Sequence, residues 1–202
     1  MKSVLRNLVA LIFVSFAGLL AGCATPPPPP PQATIGFVGA PLKLNVANVT
    51  IDNLYQPPGK APNVEQLHEV TPSTVARRWL ETRIVPVGTS GQGVMKIFNA
   101  SVVQEKLPIK GGLTGFFGDQ VDTKLIGKLN VQLTVTTGPD VGQSISTYKI
   151  DVKAEAEQTI LQSATLNDRD QAYLMLMQNL ANQFDKTATA EVERVMQGAL
   201  RD

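Results

Sequence analysis

Residues that carry chemistry are scarce in this chain, which has one cysteine and one histidine among 202 residues. A lone Cys23 excludes an intramolecular disulfide, so the folded part must be stable from its core alone. His68 lies in a proline-rich segment with no cysteine to share a metal, so a zinc or transition-metal site lacks ligands. It reads as a solvated loop residue. Aromatic residues make up only 5% of the chain, which argues against stacking platforms for bases or sugars. Neither sign of charge dominates: 18 basic residues stand against 17 acidic ones, giving no electrostatic case for nucleic acid. Also missing are a Gly-x-Ser-x-Gly elbow, a Walker loop and a Gly-x-Gly-x-x-Gly run before a helix. The glycine-rich run Gly88 to Gly93 leads into a strand, not a helix N-terminus, and so lacks the dipole of a phosphate cradle. Asp151, Glu155 and Glu157 alternate with lysines on a strand, and Glu191 and Glu193 decorate a helix. Solvation accounts for all five. The expectation is a protein that is not an enzyme and that uses no metal.

What is present begins with an apolar leader. Lys2 and Arg6 form a short positive region, and Leu8 to Leu20 follow as a nearly unbroken apolar run. That run suits a secretory signal peptide and is short for a membrane span. It ends in Leu20-Ala21-Gly22-Cys23, which resembles the lipobox of bacterial lipoproteins. The resemblance implies cleavage after residue 22, and a diacylglycerol and an N-acyl chain on Cys23 as the only covalent additions. Multiple acyl chains anchor stably where one binds marginally. Lipoproteins with aspartate after the cysteine tend to stay at the inner membrane. Ala24 stands here, so the resemblance favours the periplasmic face of the outer membrane.

Pro26 to Pro31 are six consecutive prolines. Such a run favours an extended polyproline II rod and makes residues 23–40 a stiff tether. Residues 41–202 suit a single domain with its own core.

The pattern within that domain predicts the order β-α-β-β-β-α. Pro41 to Ile51 reads as a strand whose facing changes near Ala47 or Asn48, as at a bulge. Asn53 to Pro72 reads as irregular surface chain with a short turn around Val64 to His68. Thr71-Pro72 starts a helix to about Thr82. Val94 to Leu107, Val121 to Thr137 and Gln143 to Gln158 alternate apolar and polar residues as an antiparallel meander with one wet face. A long helix from about Asp168 to Ala199, capped by Asn167, carries an apolar stripe from Tyr173 to Val195. The fold class is α+β, a two-layer sandwich with helices on one face of the meander.

One stretch asks for a function. Pro108 to Gln120 is longer than a hairpin needs, holds four glycines, and carries Leu113, Phe116 and Phe117 with Ile109 near its base. These side chains either cap the end of the core or form an apolar tip for a partner protein, a lipid or the membrane itself. Tyr55-Gln56-Pro57-Pro58, Pro62-Asn63-Val64-Glu65 and the run Gly111 to Phe117 are similar to a group of uncharacterised proteobacterial lipoproteins. The lipobox, tether and α+β domain also resemble the auxiliary lipoproteins of ABC-type lipid transport and, more distantly, the lipopolysaccharide-assembly lipoprotein. What this resemblance implies is an accessory factor in envelope assembly or transport that acts by binding, with an envelope protein as partner. The other open reading is a stand-alone structural or lipid-binding lipoprotein with a small apolar pocket between helices and sheet.

The leader generates the first prediction. In cells fed labelled palmitate, Cys23→Ser is expected to abolish label incorporation and leave the leader uncleaved. Label retained in that variant would sink the lipobox reading.

Overall fold

The structure, a computed structural model, describes residues 35–109, 119–139 and 144–201. They belong to a compact unit spanning Ala33–Asp202. Three long antiparallel strands form its frame: β4 (Gly91–Lys106), β5 (Val121–Thr137) and β6 (Thr147–Leu161). On β5, Leu125, Leu129, Val131, Leu133 and Val135 are buried, while Lys128, Asn130, Gln132 and Thr134 point the other way. On β6, Ile150, Val152 and Ala154 are buried between exposed Lys149, Asp151, Lys153 and Glu155. The period-2 pattern therefore folds as read, one face dry and one wet. In β4 the register shifts between Ile97 and Asn99. Phe98 is the extra residue at this bulge; it stays exposed while Met95, Ile97, Ala100 and Val102 keep to the core.

The first predicted strand is in fact two. β1 (Leu42–Leu44) lies between β3 (Ile84–Pro86) and β7 (Leu200–Arg201) in a three-stranded sheet. β2 (Asn48–Asn53) joins the larger sheet, parallel to β4, giving the order β2-β4-β5-β6. The change of facing near Ala47 is a crossing from one sheet to the other. The amide of Ala47 donates to the carbonyls of Ser90 and Gly91 at the crossing. A switch of parity reads the same in sequence whether the strand bulges or changes partners.

Both helices pack on the dry face. α1 (Pro72–Arg83) has Thr71 as N-cap, its hydroxyl accepting from the Thr74 amide at 3.2 Å, and Pro72 in the first turn. It buries Val75, Ala76, Trp79 and Leu80. α2 (Leu166–Val195) begins at Thr165, not Asn167. The Thr165 hydroxyl accepts from the Asp168 amide at 3.2 Å and the Asp168 carboxylate accepts from the Thr165 amide at 2.9 Å. This reciprocal capping box satisfies two free amides, where Asn167 as N-cap would satisfy one. The C-terminal end also differs. α2 stops at Val195, a 3-10 turn follows over Gln197–Ala199, and β7 pairs antiparallel with β1. At that turn Gly198 sits against the Tyr148 hydroxyl, where no β-carbon fits.

The space between helices and sheet is filled by Trp79, Tyr173, Leu176, Met177, Leu180 and Phe184, all essentially inaccessible. Trp79 and Phe184 meet edge to face with centroids 5.5 Å apart. Beside them, Asp185 joins the helices: its Oδ1 accepts from Trp79 Nε1 at 2.8 Å, Arg83 Nε at 2.9 Å and Thr189 Oγ1 at 3.2 Å. Arg83 is buried and also donates to the Ala40 carbonyl, pinning the chain just before β1. Among the described residues no helix is long and apolar enough to cross a membrane.

Removing one partner of such a buried, hydrogen-bonded pair leaves the other charge uncompensated. Asp185→Ala is therefore expected to lower stability to urea by about 3 kcal/mol. Glu191→Ala, which breaks a largely exposed pair with Arg194, should leave it nearly unchanged. Equal effects in urea melts would contradict the assignment of Asp185 as the joint between the helices.

Candidate functional site

Two places in the fold concentrate side chains that the core alone does not explain. The first is the end of the meander where β4 turns into β5. The residues singled out there from the sequence, Leu113, Phe116 and Phe117, lie outside the described residues, as does Cys23. The base of that connection is described, and it is tightly held. The Leu107 amide donates to the Asp122 carbonyl at 2.8 Å, and the Gln162 amide to the Gln120 carbonyl at 2.7 Å. The Ser163 amide and hydroxyl both donate to the Asp119 carboxylate. Lys106 Nζ reaches Asp122 at 3.2 Å and Thr123 Oγ1 at 3.0 Å. The Thr123 hydroxyl donates to Asp122 at 2.7 Å, and with Lys106 it holds the Asp122 carboxyl below the usual carboxylate range. This polar collar fixes both stems of the loop against the turn that leads into α2.

Three large apolar side chains at this end of the domain are exposed. Ile109 is 49% exposed, Leu161 44% and Leu166 82%. Leu161 pairs with Val121 at the first position of β5, and Leu166 opens α2 five residues after Leu161, the last of β6. One stem of the loop, the end of β6 and the start of α2 thus bring large hydrophobic groups to one end of the domain. The sequence pointed to Ile109 but passed over Leu161 and Leu166. The signal was there: Leu161 sits on the wet-face parity of β6, and Leu166 is apolar at a helix start.

The second place is the edge of β4 beyond β2. Residues 62–65 return to that edge: the Val64 amide donates to the Val102 carbonyl at 2.9 Å, and the Gln104 amide to the Pro62 carbonyl at 2.9 Å. Between them the Glu65 side chain takes the place of a neighbouring strand, its Oε2 accepting from the Val102 amide at 3.0 Å. Glu65 is 1% exposed. Its Oε1 accepts from the Tyr55 hydroxyl at 2.5 Å, and Asn63 Nδ2 donates to both oxygens at 3.2 and 3.3 Å. Burial pushes the carboxyl upward, but the Tyr55, Val102 and Asn63 donors outweigh it and hold the pKa below the ordinary glutamate value. Burial, reinforced by the adjacent carboxylate, pushes the Tyr55 hydroxyl well up. Every strong acceptor position of Glu65 is filled, so its chemistry here is that of a latch. Tyr55, Asn63 and Glu65 belong to the segments that carried the resemblance to proteobacterial lipoproteins, and the fold brings them into one network.

His68 departs from its sequence reading. It is partly buried and stacks on Tyr173 of α2 with ring centroids 3.5 Å apart and planes 15° from parallel. The flat face of the imidazole covers a core tyrosine that would otherwise meet water at this seam. A proline-rich context gave no sign of that contact, because the partner lies about a hundred residues away in sequence. Burial lowers the His68 pKa below 6.5, against the pull of Asp170. The Tyr173 hydroxyl is buried and finds no hydrogen-bond partner among the described residues. Among the described residues no three or more His, Cys, Asp or Glu side chains gather as for a metal ion.

No family model matches the chain, and neither does any curated protein. Among solved structures, a minor lipoprotein from Acinetobacter baumannii is similar at 14% identity, covering 73% of this chain and 94% of that one with a TM-score of 0.33. A superposition that loose carries no conclusion about mechanism or partners.

His68 yields a pH prediction. The unfolded chain binds a proton at the ordinary histidine pKa, and the folded chain binds it only at lower pH. Stability is therefore full above about pH 6.5 and falls as pH drops below it, levelling off beneath the folded pKa. His68→Phe keeps a flat ring on Tyr173 and should remove that part of the slope between pH 7 and 5, approximately. Urea melts at several pH values give the answer, and an unchanged slope in the variant would show that His68 is not the group responsible.

Proposed function

We propose that this chain is a membrane-anchored periplasmic lipoprotein that acts by binding, as an accessory factor in envelope assembly or ABC-type lipid transport. Its anchor is the lipid on Cys23, and its seat is the outer membrane, facing the periplasm. The partner is an envelope protein, and the contact is the apolar end of the meander, including Leu113, Phe116 and Phe117. It is not an enzyme, and it takes no cofactor beyond its covalent lipid.

The observation that carries this reading is the collar beneath the loop. A chain that needed only to connect β4 and β5 could turn in two to five residues. Here the connection carries a glycine- and phenylalanine-rich insertion, and its stems are fixed by Asp119, Asp122, Lys106 and Ser163. Ile109, Leu161 and Leu166 are exposed at the same end of the domain. Contiguous apolar groups on a soluble surface mark contact sites, and rigid stems lower the ordering cost of using one. Against an internal lipid site stands the dense filling between helices and sheet by Trp79, Tyr173, Phe184 and their neighbours.

Mild crosslinking in cells followed by affinity purification tests the proposal, comparing wild type with Phe116→Ser/Phe117→Ser and identifying proteins and lipids by mass spectrometry. The expected result is an envelope protein recovered with wild type and lost from a double variant whose melting curve is unchanged. Recovery of the same partner by both forms, or of bound lipid with no other protein, would overturn the contact and favour a stand-alone lipoprotein.

A further inference from the structure

The two long sides of the meander are finished differently. The β4 side is closed by β2 and then by residues 62–65 with the Glu65 carboxylate. The β6 side ends the sheet. The Thr137 amide donates to the Ser146 carbonyl, so even-numbered residues of β6 direct their backbone groups towards β5. Odd-numbered residues then direct theirs to the open edge. No described side chain bonds those groups between Lys149 and Glu157.

The charges on this edge are incompletely matched within the chain. Glu157 meets Lys124 at 3.1 Å and Glu155 meets Lys128 at 3.3 Å. Lys149 and Lys153 stand opposite Thr134 and Asn130 and form no ion pair among the described residues. Among the described residues Asp151 receives only the side-chain amide of Gln132, at 2.8 Å. The sequence Lys149-Ile150-Asp151-Val152-Lys153-Ala154-Glu155 is self-complementary when read antiparallel about Val152. Lys149 then faces Glu155 of a second copy, Asp151 faces Lys153, and each relation occurs twice by symmetry. All four positions are odd-numbered, so the facing residues exchange backbone hydrogen bonds as the ladder requires. On the other face Ile150 meets Ala154, and Val152 meets itself. The neighbouring registers fail: centring on Asp151 opposes Lys149 to Lys153 and Asp151 to itself. Centring on Lys153 opposes Asp151 to Glu155 and Lys153 to itself. Like charges directly across a ladder are destabilising.

We propose that two copies of this chain pair through β6, antiparallel and centred on Val152, joining their four-stranded sheets into one. The interface is isologous and closes on itself, so it makes a dimer and not a fibre. The alternating lysines and acids then act as a register code, where on an unpaired edge they would only discourage association.

The test uses the full lipidated chain in detergent, with protein mass read by light scattering across a dilution series. Wild type should be a dimer. Lys153→Glu sets two Glu–Asp oppositions at the centre and should weaken association about tenfold or more. The exchange Asp151→Lys/Lys153→Asp restores opposite charges at the same register and should bring association back towards wild type. Zero-length carbodiimide crosslinking of mixed light and heavy isotope-labelled chains should join Lys153 of one to Asp151 of the other. A monomeric wild type overturns the proposal. So does a dimer indifferent to Lys153→Glu, or an exchange variant that stays as weak as the single one while melting like wild type.

Discussion

Everything in this domain rests on the burial of one face of the β4–β5–β6 meander beneath α2. No disulfide supplements it, so the apolar stripe of α2 and the even-numbered residues of β6 must exclude water by fit alone. The fit depends on small residues in the sheet. Gly127 lies under Leu176 and Leu180, where an added β-carbon would already be in contact at 3.5 Å. Ala154 and Ala156 lie beside it on β6. The helix is thereby admitted close to the strands, and each fully buried Leu, Ile, Val, Phe or Met on the seam contributes on the order of 2 kcal/mol. Once α2 is seated, other features follow. Asp185 is placed to receive Trp79 and Arg83, Tyr173 is placed under His68, and the C-terminal turn delivers β7 to β1.

How far this was legible in the sequence depended on whether a residue's partner was local. β5 has the limits its alternation predicted, Val121 to Thr137, because period 2 is a property of the strand itself. The start of α1 at Thr71-Pro72 was equally plain, since an N-cap and a first-turn proline act within one turn. The start of α2 was missed by two residues. Asparagine is a good N-cap taken singly, and the reciprocal pair of Thr165 with Asp168 outweighs it. The break between β1 and β2 could not be told from a bulge, because it depends on which strand lies alongside. Glu65 and His68 were invisible for the same reason. Their partners, Val102 and Tyr173, are distant, and a charged residue in a proline-rich segment ordinarily faces water. The candidate contact residues of the β4–β5 loop were legible as composition alone, and the collar beneath them came only with the fold.

The wet face and the two edges show a division of labour that sequence alternation does not reveal. Closing the β4 edge takes a whole returning segment and a buried carboxylate whose burial must be offset by three donors. Leaving such an edge bare would expose a row of free amides and carbonyls. Against that care, the β6 edge carries only alternating charge. Lysines and acids are the ordinary deterrent to unwanted pairing, yet a deterrent works with any order of charges. A palindromic order adds a preferred register, and that is a property only a partner strand can use.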